Sequence, residues 1–224
     1  METILPGVAN SSGWISVEST GGSVAGLLVY GDKVVVPNRI AALPAVPASF
    51  SLNQSNFYSD SEWWTGIALV NPSATLDATL TLTAYAPDGT PIDQKVGQPL
   101  AALSKMVDMV DGIFALNGST EGWVQVTSTQ PIVGLEILSA DDPAEEAWGL
   151  AAIESQPAGM NVYLPHQVVT ARWWTLLSLA NPNESTATVT LTAMNDNGTE
   201  LKEVIKPIGP MGRIADYLRE MFGL

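Results

Sequence analysis

A single histidine, His166, stands in a chain of 224 residues that contains no cysteine. A Ser-His-Asp triad or a histidine-ligated metal would have to be built on it, because both need an imidazole to move a proton or lend a lone pair. An acidic cluster, Asp141, Asp142, Glu145 and Glu146, offers oxygens of the kind that calcium takes. It lacks the alternating Asp/Asn-Gly spacing of a calcium loop and reads as a solvated loop tip. The absence of cysteine removes disulfides, thiolate nucleophiles and thiolate metal sites together. The expectation is a chain with no catalytic residue, no metal and no cofactor.

The seven tryptophans are the remaining residues able to do specific work. Planar rings left in water stack on sugars, whereas buried ones supply large apolar area. Adjacent strand residues point to opposite faces, so one member of Trp63-Trp64 and of Trp173-Trp174 can be core while the other faces out. Parity puts Trp64 with Gly66 and Ala68, and Trp63 on the opposite side. Trp14 and Trp123 share parity with Ser16 and Gln125, the polar side of their runs. Trp63, Trp173, Trp14 and Trp123 are the candidate sugar-stacking residues; Trp64 and Trp174 are expected to be structural.

These tryptophans sit inside a duplication. Trp63 to Pro72 reads WWTGIALVNP and Trp173 to Pro182 reads WWTLLSLANP, an offset of 110 (173 − 63). Each is followed by an alternating run, TLTLTAY and TVTLTAM, then by a tight-turn pair, Asp88-Gly89 and Asn197-Gly198. Gly122-Trp123 echoes Gly13-Trp14, and PIVGLEIL echoes SVAGLLVY. His166 answers to Asn56, so a histidine site would exist in one copy only. Strict alternation in these runs, and in Ile15 and Val17 of WISVES, is the mark of half-buried strands. Between Ser104 and Phe114, and between Gly212 and Phe222, apolar spacings of three and four predict one short amphipathic helix per copy. AALPAVPASF, residues 41–50, carries two prolines and reads as a linker.

Acidic side chains outnumber basic ones 23 to 9, for a net charge of −14. Such a surface repels phosphate backbones and anionic lipid, so no nucleic-acid partner is expected. No apolar run is long enough to insert in a membrane. METILPGVANSSGW lacks the basic and long apolar segments of a signal peptide. Five Asn-x-Ser/Thr sequons, at Asn10, Asn53, Asn117, Asn183 and Asn197, mark surface turns.

Leu164-Pro165, Trp174-Thr175, Asn181-Pro182, a glycine turn, a short helix, Gly-Trp and Ser128 to Gly134 with its Pro-Ile-x-Gly together resemble a tandem repeat of bacterial exported and surface proteins. The resemblance spans almost the whole chain. It implies a β-sandwich repeat and an extracellular or cell-surface setting, and no substrate.

The expected fold is all-β: two similar Ig-like sandwiches, each with one short helix. Residues 48–157 are expected to be a complete unit, and 1–47 plus 158–224 a second unit assembled from both chain ends; contiguous units at 1–116 and 117–224 are the alternative. The expected function is a non-enzymatic secreted or surface module that spaces, displays or assembles. Its partners would be other surface proteins, or the chain itself through strand exchange. A carbohydrate-binding module with a glycan on exposed tryptophan is the rival, and a hydrolase with a site between the sandwiches a more distant one.

Overall fold

The computed structural model describes residues 13–31, 40–142, 147–170, 172 and 174–223. The chain is all-β, with 53% strand and 5% helix. An N-terminal hairpin pairs β1 (Leu27–Gly31) with β2 (Ile40–Pro44). A central body follows: β3 (Ser49–Tyr58), β4 (Trp63–Val70), β5 (Ala78–Tyr85), β6 (Pro91–Leu100), β7 (Lys105–Met109), one helical turn α1 (Val110–Ile113), β8 (Glu121–Asp142) and β9 (Ala147–Glu154). A C-terminal body holds β10 (Leu176–Ala180), β11 (Ala187–Met194), β12 (Glu200–Ile208), β13 (Arg213–Tyr217) and α2 (Leu218–Phe222).

The central body is built on β8. From Glu121 to Ser128 it pairs β3 on one edge and β5 on the other, with β6 beyond β5. From Val133 to Asp142 it pairs β4 and β9, with β7 beyond β4. Pro131 falls where the strand passes from one ladder to the next. Proline has no N–H to give a ladder, so it is tolerated at such a break. Leu52 and Phe57 of β3, Ile67 and Leu69 of β4, Leu80 and Leu82 of β5, and Val124, Val126 and Ile132 of β8 are buried together. The alternation of these residues with threonines and other polar side chains puts one face of each strand into that core.

In the C-terminal body β10 pairs only β13, and β11 only β12, among the described residues. Leu177, Leu218, Met221 and Phe222 are buried, with Val169, Leu179, Leu191, Ala193, Val204 and Ile214 half-buried around them. Positions in the two bodies that correspond in sequence make corresponding bonds. The Thr65 hydroxyl accepts from Tyr58 N–H and donates to Tyr58 C=O, both at 2.9 Å; Thr175 does the same with Val168 at 3.0 and 2.9 Å. The Asn71 amide donates to Leu76 C=O at 2.8 Å and Leu100 C=O at 3.1 Å. Asn181 donates to Ser185 C=O at 2.8 Å and Ile208 C=O at 3.1 Å. The threonine and asparagine of the WWT…NP phrase thus lock the two ends of its strand to neighbouring strand ends and loops.

The Gly89 and Gly198 turns both have positive φ, +90° and +81°, as glycine permits at no steric cost. A Cβ on Gly89 would also collide with the Pro210 carbonyl of the C-terminal body, whereas nothing lies within 4 Å of one on Gly198.

Three expectations are corrected. Ser104–Phe114 and Gly212–Phe222 are not helices throughout: their first parts are β7 and β13, because β4 and β10 need a partner along that edge, and only α1 and α2 are helical. Residues 41–50 are not a linker, since β2 and the start of β3 lie within them. WISVES is not a strand in this chain; Ile15 and Val17 are exposed without a ladder. No ladder joins β1 or β2 to β10–β13 among the described residues; β2 runs beside β9 instead.

Asn71 is wholly buried, and a buried carbonyl left unpaired costs about 1–3 kcal/mol. Asn71→Ala removes the donor to both carbonyls, of which the bond to Leu100 is buried, so urea denaturation should show a loss of about 1–3 kcal/mol. Asn71→Asp should lose about as much, because a carboxylate cannot donate to either carbonyl.

Candidate functional site

The residues singled out for chemistry do not converge. His166 is exposed in an irregular stretch. Asp141 and Asp142 lie in β8 with their backbones paired to Trp148 and Ala147; Glu145, Glu146 and Trp173 lie outside the described residues. No group of three metal-ligating side chains occurs among the described residues.

The tryptophans divide differently from the expectation. Trp123, expected to offer its ring to a sugar, is 0% exposed. Its ring stacks on Tyr85, centroids 4.9 Å apart and planes at 17°, and its indole N–H donates to Met211 C=O at 2.8 Å. Parity misplaced it because the C-terminal body covers the polar face of β8. Trp174, expected in a core, is 61% exposed. It precedes β10 rather than lying in it, and meets Tyr217 edge-on at 5.3 Å and 79°. With Val169, Thr170, Thr175, Arg219 and Glu220 these rings line a cleft of about 270 Å³. Trp63 is half-buried with Tyr58 at 5.9 Å. Trp14 is half-buried, its indole N–H on Leu103 C=O at 3.2 Å.

The most organised polar site is the joint between the central and C-terminal bodies. Arg213, at the start of β13, is 5% exposed. Its guanidinium donates to Gly122 C=O at 2.8 Å and to the Glu121 carboxylate at 3.1 Å, and lies 5.6 Å from the Tyr58 ring centre. Its backbone N–H reaches Pro87 C=O at 2.8 Å. These bonds offset the cost of burying the guanidinium only in part, because its Nε–H is buried without a partner. Beside it a cleft of about 310 Å³ is lined by Pro87, Glu121, Lys206, Arg213 and Asp216 among others.

A second joint uses the same elements. Lys105, at the start of β7, donates to Gly13 C=O at 3.2 Å, as Arg213 does to Gly122. Trp14 donates to Leu103, as Trp123 does to Met211. Both acceptor residues have a left-handed backbone, φ 58° for Leu103 and 51° for Met211. Side chains other than glycine avoid that region. Both are held there by matching bonds, Leu103 N–H to Ser73 C=O and Met211 N–H to Asn183 C=O, each 3.0 Å. In both, a cation and a strained turn of one layer grip a Gly-Trp of the layer before it. The sequence carried the signal, since Gly-Trp recurs and Lys105 answers to Arg213, but Gly-Trp read as the opening of an alternating run and the two cations as part of helices.

Behind the joint lies a buried polar group that sequence reasoning missed. Glu136 of β8 is wholly buried, opposite Ile67 and Ile153, and neither of its oxygens has a hydrogen-bond partner of good geometry. Gln54 and Asn56 of β3 are buried in the same body, and the Asn56 amide is also unpaired. Burial pushes the Glu136 carboxyl up to about 8; the Arg213 charge and the Asn56 backbone N–H oppose this without cancelling it. The signal was one acid inside the apolar run PIVGLEIL, where the earlier run has Leu28.

No family model matches the chain, and no curated protein does. A solved structure described as "Crystal Structure of Thermotoga maritima 1070" is similar at 11% identity and a TM-score of 0.40, over 49% of this chain and 94% of that one. The overlap is too loose to bear on fold or activity.

Folding raises the Glu136 value from 4.5 to about 8, so the native state favours the protonated carboxyl. Its contribution to stability is complete below about 4.5 and is lost as pH rises to about 8. The urea midpoint should therefore be lower at pH 8 than at pH 5, and Glu136→Gln should flatten that fall and exceed the parent at pH 8. A parent midpoint that does not fall across this range would show Glu136 charged at no cost.

Proposed function

We propose that the chain is a non-enzymatic module of a secreted or cell-surface protein, a tandem β-sandwich repeat that stacks its units end to end in a spacing, display or assembly role. The observation that carries this reading is the doubled joint, Trp123 and Arg213 at one boundary and Trp14 and Lys105 at the other. Polar groups that recur are spent on holding one layer to the next. The cleft beside Arg213 is lined by Glu121, Asp216 and Lys206, with Arg213 itself held by the joint. The extracellular setting rests on the resemblance of the repeat to those of bacterial surface proteins.

A second reading has one observation in its favour. Trp174 offers an exposed ring against Tyr217 in a cleft, and stacking on a sugar face needs such a platform. It moves the carbohydrate-binding site from Trp123 to Trp174.

Calorimetry tests the first reading. The parent should unfold in one cooperative transition, and Arg213→Ala combined with Trp123→Phe should split it into two by uncoupling the bodies. Two transitions already present in the parent would deny the joint a structural role. Titration with soluble oligosaccharides tests the second: no saturable change in tryptophan fluorescence is expected. A saturable change abolished by Trp174→Ala would make the module a sugar binder.

A further inference from the structure

The C-terminal body is open where the central body is closed. β4 and β5 each pair β8, whereas their counterparts β10 and β11 have one paired edge each among the described residues. Leu80, Leu82 and Ala84 of β5 are wholly buried, but the corresponding Val189, Leu191 and Ala193 of β11 are only half-buried. What is missing is a strand with the character of β8.

The chain carries such a strand at its other end. Residues 14–31 correspond to 123–139 of β8, allowing for one extra residue between Val17 and Val24. Ile15, Val17 and Val24 are 62%, 69% and 62% exposed. Their counterparts Val124, Val126 and Ile132 are core residues, 1%, 0% and 0% exposed. β1 pairs β2 in the register that β8 uses with β9: Leu27 faces Pro44 as Leu135 faces Glu154. The other edge of β1 is unpaired among the described residues.

Closure within one chain is opposed by where the two halves are held. The N-terminal segment is fixed to Leu103 and Lys105, in the β6–β7 turn and at the start of β7. The C-terminal body is fixed to Pro87 and to the start of β8. These are the two sides of the doubled joint, the near and far neighbours of one central body. A second copy has no such conflict. Its N-terminal segment, already seated on its own central body, presents Ile15, Val17 and Val24 outward.

We propose that residues 14–31 of a second copy of this chain insert beside β10 and β11 and complete the C-terminal body, so that copies join head to tail. The register follows from the central body, where Leu82 pairs with Val126, Ala84 with Val124 and Gly66 with Ile137. Val17 comes opposite Leu191, Ile15 opposite Ala193, and Val29 opposite Leu176. Main-chain bonds along the new ladder supply affinity, and the apolar side chains filling the open core supply specificity. Because the contact is heterologous, it grows as an open chain unless its rotation closes a ring.

The proposal rests on the stacking role above. The absence of cysteine permits a direct test on the full chain. Val17→Cys and Leu191→Cys chains, mixed and oxidised, should yield a covalent heterodimer, with little when either cysteine is moved to exposed Thr20 or Glu200. In sedimentation the parent should gain mass with concentration beyond twice the protomer. Ile15→Asp with Val17→Asp should remain a monomer with the main melting transition unchanged, since both side chains are exposed in the protomer. A parent that stays monomeric from micromolar to millimolar concentration, or a Val17→Cys, Leu191→Cys double variant that closes only within one chain, overturns the proposal. Association untouched by the two aspartates overturns it also. The calorimetric test of the joint reads contacts within one chain, so stacking and self-association fail separately.

Discussion

A buried strand carries N–H and C=O groups along both edges, and each must find a partner or cost free energy comparable to a lost hydrogen bond. β8 runs for 22 residues through the middle of the central body and meets that demand four times over, with β3 and β5 in its first half and β4 and β9 in its second. The two ladders are therefore not independent sheets that happen to pack. They share a strand, and the core between them exists because that strand turns from one ladder into the other at Pro131. The C-terminal body, with no such strand beside β10 and β11 among the described residues, shows what the same elements look like without it: ladders of two, with a core half open.

Electrostatics works against association of this chain. A net charge of −14 repels a like surface over about a Debye length, roughly 8–10 Å at ordinary salt, so what holds layers together must be short-ranged and specific. The joints fit that demand. Arg213 and Lys105 are two of only nine basic side chains, and each is directed at a backbone carbonyl of the preceding layer. The Arg213–Glu121 ion pair adds little, because Glu121 is about half exposed and such pairs contribute about 0–1 kcal/mol. Glu136 shows the converse: in a dry core, burial raises the carboxyl to about 8 and favours its protonated form at neutral pH.

The strands that are half buried were legible. The alternation in TLTLTAY and TVTLTAM marks β5 and β11, and the Asp-Gly and Asn-Gly pairs mark their hairpin turns. The segment at Lys105–Met109 was not, because helical spacing of Met106, Val107 and Val110 is also produced by a short strand running into one helical turn. Nor does local sequence say which neighbour a strand will meet. WISVES has the pattern of a core strand yet stands in water, and Trp123 looked like a surface ring until another body covered it. Burial at the joints is a property of pairs of surfaces, and periodicity along one chain reports only on one of them.

Gly89 and Gly198 occupy corresponding turns, with the same sign of φ, and differ only in what stands above them. A methyl group at Gly89 strikes the Pro210 carbonyl, and one at Gly198 meets open space. Substitution at Gly198 is therefore screened by backbone strain alone, a filter that asparagine and aspartate pass several-fold more readily than other side chains; at Gly89 the neighbouring body imposes a second, steric filter that admits neither. What a turn tolerates is thus set by the body that stands over it as well as by its own backbone.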